Sequence, residues 1–295
     1  MATPIVSHQN ALVVPILRPK SKSKMNWKFS VLCSLYYKES PQALRQSFES
    51  IFAQTLLPNE VVLVKDGPLT DELENVLADF LQRYDTLKIV PLAVNSGLGA
   101  ALNEGLKHCS YQLVARMDTD DVAKPNRFEQ QVQVFKAQPD LDIVSAWIEE
   151  FQGDTSHIIS VRKLPEIHAE IYEYGKNRCP INHPVVMFKK SAVEKAGGYQ
   201  PFHLFEDYYL WVRMLMSGAK FYNIQASLLY FRISPDVYKR RGGLKYALSE
   251  AKLEKRMHRI GYISFFKMVY NIATRFVVRV LPNGIRGWVY QKMAR

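Results

Sequence analysis

The regular alternation of short apolar runs with amphipathic helices between Phe29 and Met117 most constrains what this chain can fold into. Phe29 to Leu35 is an apolar run; Ser40 then offers an N-cap and Pro41 a first-turn proline, and Leu44, Phe48, Ile51 and Phe52 recur at helical spacing. Val61 to Val64 forms a second run, closed by Asp66 and Gly67, before a helix whose predicted buried stripe is Leu73, Val76, Leu77, Phe80 and Leu81. Leu87 to Val90 reads as a third strand, Ser96 introduces a helix running to Cys109, and Gln112 to Met117 reads as a fourth strand. This order predicts an α/β fold, a mostly parallel central sheet with helices on both faces, which binds ligands at the carboxyl ends of its strands. Asp66 and Asp118 stand at two such ends.

Beyond Pro125 the pattern is more mixed. A helix carries Phe128, Val132 and Phe135; Ile143 to Phe151, Ile158 to Arg162 and Val185 to Phe188 read as strands. Short helices are expected over Ser191 to Ala196, stopped by Gly197 and Gly198, and over Glu206 to Met216, stopped by Gly218. Residues 1–28 read as a flexible basic leader without a signal peptide, because Pro15 breaks the one apolar run and the basic residues follow it. Residues 29–235 then form the principal domain and 236–295 a basic, helical C-terminal extension.

The formal charge of +11 calls for an anionic partner, and the basic residues gather at the two ends of the chain while carboxylates concentrate in the middle. Cys33, Cys109 and Cys179 are widely separated and form no C-x-x-C pair, which suits a reducing cytoplasm and offers neither a disulfide framework nor a zinc site.

Three carboxylates stand within four residues in Arg116-Met117-Asp118-Thr119-Asp120-Asp121, directly after an apolar strand. Such a cluster repels itself unless solvent or a cation intervenes, and hard oxygen ligands suit Mg²⁺ or Mn²⁺ with substrate phosphates completing the shell. On local sequence it is either that or a solvated acidic turn. Asp66 before Gly67 is a turn aspartate or an acceptor for a base or ribose. Glu206-Asp207 at a helix start either caps the helix or supplies a general base for a hydroxyl. His183, in Asn182-His183-Pro184, packs or lines an acceptor or phosphate pocket. Arg232 and the Lys239-Arg240-Arg241 run form a solvated turn or reach phosphate or lipid headgroups.

The order of Phe29 to Glu39, Val64 to Gly67, Asn95 to Gly105, Arg116 to Asp121 and Glu206 to Trp211 resembles the family 2 inverting bacterial glycosyltransferases of the GT-A fold, over roughly residues 29–235. Within that family it is most similar to the subgroup that assembles capsular and exopolysaccharide units, amylovoran-type enzymes among them. The resemblance implies a nucleotide-sugar donor, UDP-linked, and a glycan or lipid-linked acceptor. It further implies that Leu35, Tyr36 and Glu39 cradle the nucleotide together with Arg116, that Asp66 contacts the uracil, and that Asp118 faces the ribose. Asp120, with Asp118, is implied as the Mn²⁺ or Mg²⁺ ligand, and Asp207, with Glu206, as the catalytic base. Leu102 stands where a common family variant has arginine.

The segment Tyr262 to Leu281 predicts an amphipathic helix, with Lys267, Arg275 and Arg279 on one arc of roughly 120° and Phe266, Val269, Ala273, Phe276 and Val280 opposite. Each charge would cost roughly 2.5–3.5 kcal/mol at a bilayer centre, which speaks against a membrane span. The helix either lies on an anionic membrane surface or docks on the domain. The protein is accordingly expected in the cytoplasm, either free or peripheral on the inner face of the plasma membrane, with no nucleic-acid partner. Two other readings are a sugar-nucleotide nucleotidyltransferase and a non-catalytic basic scaffold for membrane or nucleic acid. The first needs a glycine-rich phosphate loop, and the first glycine of the chain is Gly67; the second leaves the acidic cluster unexplained.

Overall fold

All four N-terminal apolar runs become strands in the computed structural model, which describes residues 27–233 and 243–280. They are β1 (Phe29–Leu35), β2 (Glu60–Lys65), β3 (Leu87–Pro91) and β4 (Leu113–Arg116), separated by α1 (Pro41–Phe52), α2 (Asp71–Arg83) and α3 (Leu98–His108). Ser40 caps α1 by accepting from the Ala43 N–H at 3.3 Å, and Thr70 caps α2 likewise. The chain continues through β5 (Val122–Ala123), α4 (Arg127–Ala137), β6 (Ile143–Phe151), β7 (Ile158–Arg162) and α5 (His168–Tyr174). A 3₁₀ turn (His183–Val185), β8 (Met187–Lys189), α6 (Lys190–Lys195), α7 (Glu206–Met216) and β9 (Phe221–Arg232) follow, and then α8 (Leu244–Arg259) and α9 (Phe265–Val280).

The strands form one sheet in the order β3-β2-β1-β4-β8-β6-β9-β5, with β7 paired to β6. Pairing is parallel from β3 to β4, as the helical crossovers require; beyond β4 the sheet is mixed, since β8 runs antiparallel to both β4 and β6 while β9 runs parallel to β6. The expectation of a mostly parallel sheet therefore holds only for its first half. Alternate residues feed two core layers. Leu32, Val62 and Val114 pack with α3, α5, α7 and α8, and Val31, Leu63 and Ala115 with α1, α2 and α4. Helices thus cover both faces. Leu81 is a correction to the predicted stripe of α2, because it is 44% exposed while Leu73, Val76, Leu77 and Phe80 are buried.

The C-terminal helices are integrated into this core: Leu253, Met257, Tyr262 and Ile263 belong to the same cluster as Leu210 and Trp211 of α7. The orientation of α9 differs from a helix that presents its charges to solvent or lipid. Asn271 donates to the Lys176 carbonyl and to Glu254 Oε2, both at 2.9 Å, and Arg275 pairs with Glu254 and donates to the Asn177 carbonyl. The polar side of α9 therefore faces the protein, and Phe265, Phe266, Val269 and Tyr270 point outward, Phe266 being 84% exposed. The leader as far as Asn26, Arg240, Arg241, the side chains of Arg279 and Val280, and residues 281–295 lie outside the described residues. Among the described residues no helix is long and apolar enough to cross a membrane.

Glu254 is fully buried, so its carboxylate depends on Arg275. Arg275→Ala is expected to lower the unfolding free energy by about 3 kcal/mol, because it strands a buried charge, whereas Glu254→Leu combined with Arg275→Leu recovers most of that loss. Urea denaturation of the two variants reads the difference; equal midpoints for Arg275→Ala and the parent would show that the pair does not hold α9.

Candidate active site

Two strand ends bring the predicted donor residues together. Asp66 follows β2 and its N–H donates to the Leu35 carbonyl at 2.8 Å, while Met117 after β4 donates to the Leu32 carbonyl at 3.1 Å, so the parallel ladder sets both acidic turns beside the end of β1. Asp66 is held by the start of α3. Its two carboxylate oxygens accept from the N–H groups of Ser96 (2.6 Å) and Gly97 (3.0 Å). Gly67 makes this approach possible: its φ is +88°, and a Cβ there would lie 2.7 Å from the Asn95 nitrogen. Asp66 thus braces the loop, and it is only 3% exposed.

The acidic turn rests on buried arginines. Arg116, 1% exposed, forks its guanidinium onto both oxygens of Asp118. Burial alone would depress its pKa; Asp118 and its other neighbours hold it above the usual value instead. Arg127, at the start of α4, is fully buried and donates to the Arg116 carbonyl at 2.6 Å. Burial pushes its pKa down to about 9, so the guanidinium stays charged at neutral pH. Asp121 is also fully buried; its Oδ1 accepts from the Arg232 N–H at 2.8 Å, and its Oδ2 has no hydrogen-bond partner.

Ligand atoms of Asp118, Asp120 and Asp121 all lie within 4.8 Å of one another. Burial, followed by the charges of Asp118 and Glu39, pushes Asp120 up to about 7, and burial with Asp120 and Asp118 pushes Asp121 up well beyond the carboxylate range. Burial likewise raises Glu39, against the Ser40 N–H that its carboxylate accepts. Converging carboxylates that resist ionisation, one with an unpartnered buried oxygen, form an all-oxygen set that fits a hard divalent cation. Asp120 is the member committed neither to Arg116 nor to the Arg232 N–H.

The base candidates come from the opposite side. Glu206 and Asp207 open α7 and line a cleft of about 270 Å³ that also exposes Arg116, Asp118, His183, Tyr199 and Arg162. Asp207 Oδ1 accepts from the Tyr208 N–H at 2.7 Å. Burial raises the Asp207 pKa, opposed by that N–H and by Arg116 and Arg162; burial raises Glu206 as well. Leu204, which also lines the cleft, enters this turn with φ +67°, a left-handed conformation rarely adopted by a leucine and a mark of local strain. His183 lies at the cleft with Nε2 2.8 Å from the Tyr199 hydroxyl, and burial with Arg116 pushes its pKa well down, so the ring is neutral.

The helix α3 joins the two sides. Asn103 donates to the Tyr199 carbonyl at 2.6 Å and accepts from its N–H at 2.8 Å, and Gly99 packs against the Glu206 side chain. Leu102 is fully buried in the core, where an arginine has no place to present its charge.

Two expectations change. Leu35 has its side chain in the core, so it shapes the nucleotide cradle only through its backbone, whereas Tyr36 is 37% exposed at the rim. Arg232 is not available to phosphate: it donates to the Asp120 carbonyl (2.8 Å), the Gly153 carbonyl and Gln46, and stacks on Phe151. It clamps the acidic turn to α1. Arg240 and Arg241 fall outside the described residues. Sequence reasoning missed Tyr199, Leu204, Arg127 and Arg162 as parts of the site. Gly197 and Gly198 were read only as a helix stop, although the left-handed φ of Gly198 places its Cα against Asn103 and so delivers Tyr199.

This arrangement defines a nucleotide-sugar-dependent transferase, and the comparisons agree: residues 32–196 match the model of glycosyl transferase family 2, and the chain belongs to that family. It is 43% identical over 268 residues, 91% of this chain and 97% of the relative, to the Escherichia coli UDP-Gal:alpha-D-GlcNAc-diphosphoundecaprenol beta-1,3-galactosyltransferase. It is 36% identical, over 90% of this chain and 98% of the relative, to the amylovoran biosynthesis glycosyltransferase AmsE of Erwinia amylovora. The fold is shared with S. aureus TarS 1–349 in complex with UDP-GlcNAc, at TM-score 0.61 and 16% identity over 85% of this chain and 72% of that one. The protein is a glycosyltransferase.

Since Arg232 serves as a clamp, Arg232→Ala is expected to cost about 1–3 kcal/mol of stability in the absence of any substrate. A thermal melt of the unliganded variant checks this; an unchanged melt with weaker phosphate binding would return Arg232 to a phosphate contact.

Proposed function

We infer that the enzyme is an inverting, divalent-cation-dependent transferase that moves a sugar from a UDP-linked donor to a hydroxyl of a lipid-linked glycan acceptor in surface polysaccharide assembly. The observation that carries this reading is the single cleft in which the Arg116-supported acidic turn faces Asp207. The E. coli relative, named for the donor UDP-Gal and the acceptor alpha-D-GlcNAc-diphosphoundecaprenol, supports the choice of substrates.

In the proposed reaction Asp66 and Asp118 receive the base and ribose at the ends of β2 and β4. Asp120, with Asp118, would hold Mn²⁺ or Mg²⁺, which supplies positive charge near the departing diphosphate. Asp207, oriented by the Tyr208 N–H, takes the proton of the acceptor hydroxyl. The acceptor oxygen bonds to the anomeric carbon as the bond from that carbon to the diphosphate oxygen breaks. The electron pair leaves with the nucleotide diphosphate. Arg116 holds Asp118 oriented throughout.

Release of nucleotide diphosphate from a panel of UDP- and GDP-sugars with an acceptor is expected for a UDP-sugar and to require added Mn²⁺ or Mg²⁺. Asp120→Ala and Asp207→Ala are expected to lose roughly 100- to 1,000-fold in kcat while remaining folded. Turnover indifferent to chelation and to Asp120→Ala would refute the metal role.

The rate should also respond to pH in a definite direction. Only the ionised Asp207 accepts a proton, and its pKa lies above the ordinary aspartate value of 3.8, so activity falls as pH drops through that raised value. An acid limb confined to the ordinary aspartate range, or one retained in Asp207→Asn, would assign the base elsewhere.

The outward face of α9 supports a peripheral position on an anionic membrane. Phe265, Phe266, Val269 and Tyr270 form its apolar strip, and Lys245, Lys252, Lys255 and Arg259 form an exposed stripe along α8. Phe265→Ser combined with Phe266→Ser is expected to reduce sedimentation with phosphatidylglycerol vesicles several-fold without altering the melt; undiminished sedimentation would remove this face from the membrane contact.

A further inference from the structure

One wall of the cleft is the β6–β7 hairpin. Ile148 and Arg162 are directly paired across its two strands, and both line the cleft, together with Glu150 of β6 and Phe231 of β9. Arg162 differs from Arg116, the other cation of the cleft. Arg116 is buried and forked onto Asp118, whereas Arg162 is half-buried, donates to the Cys179 carbonyl at 3.2 Å and interacts with the Cys179 thiol, and has no carboxylate within 4.0 Å among the described residues. Glu150, the acidic group of the hairpin that lines the cleft, spends an oxygen on the Ser160 hydroxyl at 2.5 Å. The Arg162 guanidinium is close enough to Asp207 to oppose the rise in its pKa.

We propose that Arg162 is the docking cation for the diphosphate of an amphipathic lipid acceptor, whose hydrocarbon chain then runs outward along β7. Two observations support this, resting on the reading that the acceptor is lipid-linked. First, an arginine fork with no carboxylate within 4.0 Å, in the same cleft as Asp207, fits phosphate oxygens. Placed there, an acceptor diphosphate brings the sugar attached to it toward Asp207. Second, β7 leads away from Arg162 with Val161, Ile159 and Ile158 exposed, at 43%, 46% and 36%. A solvent-facing strand that is apolar on both faces, ending at a cation in the cleft, matches a ligand with an anionic head and an apolar tail.

The test is equilibrium binding of a short-chain prenyl diphosphate to the full chain, followed by tryptophan fluorescence with UDP and Mn²⁺ present. Arg162→Gln keeps a donor for the Cys179 carbonyl but removes the charge, and is expected to weaken prenyl diphosphate binding roughly ten- to a hundredfold while leaving UDP affinity and the melt unchanged. Arg162→Lys should retain part of the affinity, and an uncharged prenol should not distinguish the variants. Ile159→Ser with Val161→Ser should weaken long-chain more than short-chain diphosphates. Equal binding by the parent and Arg162→Gln, a parallel loss of UDP affinity, or no binding by the parent at millimolar prenyl diphosphate would each overturn the proposal. Because binding is read without turnover, its failure is distinct from failure of the sugar-transfer reaction, which the donor panel reads.

Discussion

The site depends on the pair that buried Arg116 makes with the half-buried Asp118. Three carboxylates within 4.8 Å at the end of a buried strand repel one another and lose hydration, and either effect alone would open the turn. Arg116 beneath them supplies a fixed positive charge with fork geometry, and Arg127 in turn holds the Arg116 carbonyl. From above, the Arg232 guanidinium ties the Asp120 carbonyl to Gln46 of α1, and the Arg232 N–H holds the Asp121 carboxylate. The turn is neutralised only in part, which leaves Asp120 pressed by its neighbours and suited to a divalent cation. A fully neutralised turn would have no use for one.

The same pair connects the chemistry to the rest of the sheet. Arg116 ends β4 and its N–H donates to the Val186 carbonyl at the mouth of β8, so the residue that orients Asp118 also fixes the segment carrying His183. His183 bonds Tyr199, Tyr199 is gripped by Asn103 of α3, and α3 is started by Asp66. One chain of contacts therefore runs from Asp66 after β2 to the helix that presents Asp207. The motif from Asn95 to Gly105 acts through this chain: Asn103 and Gly99 hold Tyr199 and Glu206, and Gly105 lets α3 lie against Leu32 and Val64.

Much of this was legible in the sequence where local rules and tertiary structure agree. The βα units from Phe29 to Met117 follow from period, caps and turn residues, and the acidic turn was placed correctly because a parallel strand must end where its crossover begins. Residues distant in sequence were less legible. The strand β9 was missed because its alternation slips: bulges opposite Ala146, Trp147 and Ile148 shift the register, and Asn223 is buried to satisfy the Pro165 and Pro180 carbonyls. Arg232 looked like a free basic residue, since nothing local shows that β9 ends against Asp121. For α9 the period was right, but which side meets the protein was not legible: Glu254, on another helix, draws Arg275 inward, and helical spacing alone contains no information about that partner.

The most direct test of the central claim is where a cation sits. Crystals grown with UDP and Mn²⁺, measured at a wavelength that gives manganese anomalous signal, should show one peak bound to Asp120 at about 2.0–2.2 Å and shared with the diphosphate, with the Arg116–Asp118 fork intact. A diphosphate seated at the end of β4 with no peak near Asp120, or a peak held by other side chains, would contradict the account.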